Sequence, residues 1–255
     1  MPPRTARQLT SFTSSDRPLY DQVRQRLIEG ISAGEWRAGE AIPPEIELSQ
    51  SFGVSIGTIR KAVDALVAHR ALVRRQGKGT FVTAHDIGQL AFHFFHIVPR
   101  DGAKVYPEVR TVGFRRDRGD PMSARALQIA PHDKVIRIRN VLSLAGAPVS
   151  VDDITLAAEL FRGLSEKHFV SRGNTIYHLY QSRYGINVLR TEERLRAVLA
   201  KGDVAQHLGV AEGAPLLEIR RLALSFRDRP VELRLSHVNT ARHEYYNTLG
   251  KGEAL

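Results

Sequence analysis

The 255-residue chain contains no cysteine, which excludes disulfides and thiolate metal sites. No apolar run approaches the roughly 20 residues needed to span a bilayer, so no membrane association is expected. The opening stretch MPPRTARQLTSFTSSDR is polar and lacks the apolar centre of a signal peptide. Secretion is therefore not expected, and a cytoplasmic location is. Catalytic signals are missing too. No Ser/His/Asp set or carboxylate pair stands out. His93 and His96 have no third ligand at matching spacing, so they are read as packing residues and not as metal ligands. No cofactor is expected. Acids are absent from one stretch: between His69 and Ala84 the charged residues are Arg70, Arg74, Arg75 and Lys78.

What is present is positive charge. The formal net charge is +10, while the apolar share of 42% is ordinary for a globular protein. That balance suits a polyanionic partner such as nucleic acid, although many basic proteins bind nothing acidic.

Residues 1–16 read as a flexible tail. From Pro18, PLYDQVRQRLIEGISAGEW places Leu19, Val23, Leu27 and Ile31 on one helical stripe ending near Gly34. A Pro/Gly turn region precedes a short helix, EIELSQSF, closed by Gly53. Ser55 then caps a third helix with Ile59, Val63 and Leu66 at helical spacing. In ALVRRQGKGTFVT two short strands flank a glycine tip, which predicts a hairpin. Three helices and a hairpin make a winged helix-turn-helix, whose third helix would enter the major groove and whose glycine tip would approach phosphates or the minor groove.

Four segments in order, PLYDQVRQRLIEGISAGEW, AIPPEIELSQSFGVS, TIRKAVDALV and RRQGKGTFV, resemble the DNA-binding domain of GntR-type bacterial regulators over residues 18–83. The resemblance implies a winged domain over 17–84 that binds double-stranded operator DNA. The implied DNA contacts are Thr58, Arg60 and Lys61 on the third helix and Gln76, Gly77 and Lys78 on the wing. For Lys61 a solvated helix face is an equal alternative. The chain departs from the family at two places: Ile46 and Ile56 stand where relatives carry arginines used at the DNA. Arginine can form a bidentate bond to guanine, whereas isoleucine offers only apolar contact, for instance to a thymine methyl.

After a polar connector at 85–89 the chain becomes strand-rich. LQIAPHDKVIRIRNVLSLAGAPVSV at 127–151 can be laid on LGVAEGAPLLEIRRLALSFRDRPVEL at 208–233, with Leu127 on Leu208, Ile138 on Ile219 and Pro148 on Pro230. Two copies of helix end, strand, turn and strand predict one antiparallel sheet with approximate internal two-fold symmetry. The segment between the copies reads as a helix ending near Tyr184 and a long strand from Asn187 to Ala200.

ELFRGL, TIYHLYQSRYGI, EERLRAVLA, LGVAEGAPLLEIRR and RPVELRLS resemble the UTRA effector-binding domain of HutC-type GntR regulators. The implied architecture is α+β, a winged head followed by an antiparallel-sheet domain of chorismate-lyase-like fold over 90–255 that binds an effector and dimerises. On strand 135–144, Arg137 and Arg139 share a face. Two like charges there need an anion or carboxylates between them, and Asp152 and Asp153 on the next strand could supply the latter. The resemblance implies an effector site of Arg137, Arg139, Asp152, Thr175 and Glu232, suited to a small anion such as a sugar phosphate or organic acid. Asp152 is one methylene shorter than the family's usual glutamate. The expected function is thus a homodimeric transcription regulator, a repressor released from DNA by its effector. The alternative is a lyase-like enzyme tethered to a DNA-binding head.

Overall fold

The computed structural model describes residues 18–37, 39–68, 71–83, 95–100, 105–172 and 175–247. The expected tail, the 85–89 connector, Arg70 and His93 lie outside these residues. Two compact units divide the chain, Met1–Ala84 with Tyr180–Leu189 and His85–Leu179 with Arg190–Leu255. Among the described residues no helix is long and apolar enough to cross a membrane.

The first unit opens with α1, Leu19–Ala33, which stops where Gly34 turns left-handed at φ 80°. α2 spans Glu45–Phe52 and α3 spans Ile56–Ala68. Gly53, at φ 64°, reverses the chain between them, a conformation that costs a residue without a side chain almost nothing. β1, Leu72–Arg75, and β2, Gly79–Val82, pair as an antiparallel hairpin. Val23 and Leu27 of α1 are fully buried, as are Ile59 and Val63 of α3, so the predicted stripes form one core. Leu19 departs from its stripe: at the first helical position it is 43% exposed.

The second unit is built on a six-stranded antiparallel sheet. Its elements are β3 (Ile97–Pro99), β4 (Glu108–Arg118), α4 (Pro121–Leu127), β5 (Lys134–Leu144), β6 (Ala147–Ala157), α5 (Glu166–Val170), β7 (Arg190–Leu199), α7 (Gly202–Leu208), β8 (Pro215–Leu224), β9 (Pro230–Val238) and β10 (His243–Tyr245). Between α5 and β7 runs α6, Ile176–Tyr184. The sheet order is β4-β5-β6-β9-β8-β7, and β10 pairs separately with β3. The repeat is visible in this order: β4-α4-β5-β6 and β7-α7-β8-β9 are equivalent halves, joined by antiparallel pairing of β6 with β9. Leu127 and Leu208 are both buried, as are Ile138 and Ile219. The two hairpins differ at their tips. Ala145 and Gly146 make a tight turn with φ 48° and 77°, while the second copy passes through a short 3₁₀ turn at Phe226–Asp228.

The two faces of the sheet have different occupants. Val141 and Val151, opposite each other on β5 and β6, pack under Ala205 and Leu208 of α7. The other face carries Leu142, Val149, Ile219 and Val238, packed against Ile97. If the halves are structurally equivalent, Leu127→Ala and Leu208→Ala should each lower unfolding free energy by about 2–5 kcal/mol. Urea unfolding of the two variants checks this.

Candidate DNA-reading surface and ligand cleft

In the first unit, the Ser55 hydroxyl accepts the Thr58 backbone N–H at 3.2 Å and lies 2.9 Å from the Thr58 hydroxyl. It thereby satisfies one of the free amide groups at the start of α3. Arg60 is well exposed and its Nε donates to Glu45 Oε2 at 3.0 Å. The other Glu45 oxygen accepts from Arg74 at 3.0 Å, and Arg74 also pairs with Asp64. Glu45 therefore tethers two cations, one from α3 and one from the wing. Such exposed pairs are worth about 0–1 kcal/mol, so they orient the arginines without withholding them from a phosphate or base.

Lys61 lies over the Tyr20 ring, 4.2 Å from its centroid, a cation–π contact within the unit. Gln76, Gly77 and Lys78 form the exposed hairpin tip. Gly77 has φ 69°, and the Lys78 N–H donates to the Arg75 carbonyl at 2.9 Å. Sequence reasoning missed the Glu45 hub, whose members are 15 and 29 residues away from it.

In the second unit the five residues expected to hold an effector do not form one site. In an antiparallel sheet, residues directly opposite share a face. Arg137 and Arg139 lie opposite Thr155 and Asp153, on the face with α7. Arg139 forms a two-point bond with Asp153, at 2.7 and 2.9 Å. Arg137 donates to Asp117 at 3.2 Å and to Asp120 at 2.6 Å. Of the two readings of this arginine pair, the one in which carboxylates neutralise it describes these contacts. Asp153 supplies one carboxylate, while Asp117 and Asp120 come from β4 and the cap of α4. Thr175 accepts the His178 N–H at 3.1 Å at the start of α6. Asp152 and Glu232 lie on the opposite face, because the one-residue step from Asp153 to Asp152 reverses direction.

That opposite face holds a buried ionic row. Glu193, Arg221 and Arg234 sit side by side on β7, β8 and β9. Two guanidiniums directly opposite each other repel unless carboxylates flank them. Here Arg221 Nε donates to Glu193 at 2.5 Å, and Arg234 donates to Glu232 at 3.0 Å and to Asp152 at 3.2 Å. The Ser150 hydroxyl donates to Asp152 at 2.8 Å, the Tyr177 hydroxyl to Glu232 at 3.2 Å, and the Tyr245 hydroxyl to Glu193.

Burial alone would raise the Glu193 pKa. The Arg221 guanidinium and the Tyr245 hydroxyl outweigh burial and hold the carboxyl below its ordinary value. Burial and the Glu232 carboxylate push the Tyr177 hydroxyl up, so it stays a proton donor. A small cleft opens on this row, lined by His96, Ser150, Asp152, Arg221, Arg234 and Tyr245 among others. Its charged lining is the Asp152 carboxylate with the guanidiniums of Arg221 and Arg234, to which Glu193 and Glu232 bond without lining the cleft. Ser150, Arg221, Arg234 and Tyr245 were not legible as a site. Among these, Arg234 is flanked by Leu233 and Leu235, and its alternation gives no hint which face is inward.

Family comparison agrees with both units. The model for bacterial regulatory proteins of the gntR family matches residues 19–82, and the UTRA domain model matches residues 103–244. The chain belongs to the GntR family. Among its GntR relatives is the Escherichia coli K12 protein named "Probable fructoselysine utilization operon transcriptional repressor", 30% identical over 84% of this chain and 88% of the relative. The histidine utilization repressor of Pseudomonas putida is 28% identical over 92% and 93%. The ligand-binding domain of a GntR-family regulator from Bordetella bronchiseptica superimposes with a TM-score of 0.59 at 34% identity, covering 62% of this chain and 98% of that one. These relatives are named as transcriptional regulators and repressors, not enzymes. The chain is a DNA-binding transcription regulator of the HutC type, and the lyase-like enzyme alternative is set aside.

The Arg137 contacts predict a pH effect. The Ser123 backbone N–H and the Arg137 guanidinium hold the Asp120 carboxyl well below its ordinary value of 3.8. A depressed carboxylate stabilises the fold above the unfolded-state value, and that contribution is lost as pH falls through the folded-state value. Asp120→Asn keeps a capping side chain but loses the ion pair. It should cost no more than about 1 kcal/mol at pH 7, because the pair is partly exposed. The difference from wild type should shrink as pH drops below 3.8. Urea unfolding at both pH values measures it, and a constant difference would remove the ion pair as its cause.

Proposed function

We propose that this regulator is a cytoplasmic homodimeric repressor that leaves its operator when a small polar metabolite enters the cleft beside Arg221 and Arg234. The observation that carries the effector reading is the buried ionic row. Burying five charged groups beside a cleft is expensive, and a folded core needs none of them. A ligand with its own hydroxyl, amine or carboxylate groups would exchange bonds with such a row.

The balance of the row changes the expected effector class. Arg137 and Arg139, the basis for a sugar phosphate, are matched by carboxylates on the other face. In the row beside the cleft, three carboxylates already meet the two guanidiniums, so a doubly charged anion is disfavoured. A hydroxyl-rich or zwitterionic metabolite, or a mono-acid displacing one carboxylate from its arginine, fits better. The names of the relatives, fructoselysine utilization and histidine utilization, lie within that range.

On the DNA side, Arg60, Thr58 and the wing tip at Gln76, Gly77 and Lys78 are the proposed contacts. Lys61, lying over Tyr20, is the weakest member. A homodimer would carry its two-fold axis into the operator, with half-sites about one helical turn apart or less. Effector release requires the ligand to bind the released state better, commonly by about 1–3 kcal/mol of coupling.

Thermal-shift screening of sugars, amino-acid derivatives and small acids tests the effector, because a ligand that binds only the native state raises its stability. Asp152→Asn should abolish the shift and the release from DNA while DNA binding survives. Replacing Arg137 and Arg139 together by Met should leave both intact. The reverse pattern would return the site to the other face. Arg60→Ala should weaken specific binding by about 1–3 kcal/mol while leaving random DNA nearly unaffected. Light scattering in solution reads the dimer directly.

A further inference from the structure

Two isoleucines sit where a soluble domain has no use for them. Ile46, in the first turn of α2, is 56% exposed, and Ile56, the first residue of α3, is 40% exposed. The neighbouring core does not require either, since Ile59, Val63 and Leu66 already fill it. Arg60 Nε donates to Glu45, so the Arg60 side chain reaches the start of α2. Ile56 and Arg60, four residues apart, project from the same side of α3.

Gly57 adds an independent observation. Its backbone is in α3, where glycine weakens a helix relative to alanine. Packing does not ask for it: an added Cβ would meet only the Ser55 hydroxyl, at 3.8 Å. The space over Gly57 is open. A residue that weakens its helix and fills no internal need suits an external surface that comes close.

We propose that Ile56 reads the C5-methyl of thymine in the major groove, that Ile46 offers a second apolar contact from α2, and that Gly57 permits the close approach this requires. Among the four base pairs, the thymine methyl is the one apolar group on the major-groove edge. The first residues of a recognition helix are those that reach base edges. Ile56 would therefore select thymine by apolar burial, with Arg60 supplying polar readout or a phosphate contact from the same side of the helix. This inference rests on the first unit being the DNA-binding head.

The test begins with operator-like duplexes recovered by the full-length protein from a random-sequence pool. Each thymine is then replaced singly by deoxyuridine, which removes only the methyl, and affinity is measured for wild type, Ile56→Ala and Ile46→Ala. Wild type should lose roughly fourfold at one or two positions in each half-site, the value for one apolar carbon. Ile56→Ala should bind the thymine duplex more weakly and lose its sensitivity to deoxyuridine at one of those positions. Gly57→Ala should unfold at the same or a higher temperature yet bind the duplex more weakly. Three results would overturn the proposal: no methyl-sensitive thymine, unchanged sensitivity in both isoleucine variants, or full affinity in Gly57→Ala. Failure to enrich any sequence would instead remove the DNA-binding reading on which the proposal stands.

Discussion

The pairing of β6 with β9 is the seam on which the second unit depends. It joins two equivalent halves into one sheet, and the ion pair between Asp152 of β6 and Arg234 of β9 crosses it. Arg234 also meets Glu232 and stands opposite Arg221, which Glu193 holds. Take away Arg234 and two carboxylates remain buried without their guanidinium, a loss of the kind that costs several kcal/mol. The same group that binds the halves together also borders the cleft. A ligand that competes for it necessarily acts on the seam, which links occupancy of the cleft to the geometry of the sheet.

The first unit uses charge differently. Its ion pairs are exposed and cheap to exchange, and they gather around Glu45. Buried charge in one unit and exposed charge in the other correspond to two tasks. In the proposed reading the buried row would discriminate among small molecules, because an imperfect match leaves charges unpaired. The exposed cations can trade a carboxylate for a phosphate with little loss. Isoleucines at the starts of α2 and α3 add an apolar element to a surface that positive charge alone would leave without sequence preference.

Much of this organisation was legible in the residues. The stripe of Ile59, Val63 and Leu66, the Ser55 cap, Gly53 at the turn and the glycine tip at 77 each carry a local signal, because helix period, capping and positive φ act over a few residues. The repeat was legible because duplication preserves spacing, and from it came the single sheet. The proposed ligand cleft was not. Period-two alternation shows that Arg137 and Arg139 share a face, but not which face lies beside a cleft. Asp152 and Asp153 are adjacent acids that point opposite ways, and the chain itself does not say which one meets Arg139.

Family, order of elements, winged head and the two-fold plan of the sheet follow from short-range patterns and a long repeat in the chain. Which charges meet is set by the folded sheet. Glu193 and Arg221 are 28 residues apart, and Asp152 and Arg234 are 82 apart. Such pairs depend on strand register across the sheet, where a shift of one residue sends every side chain to the other face.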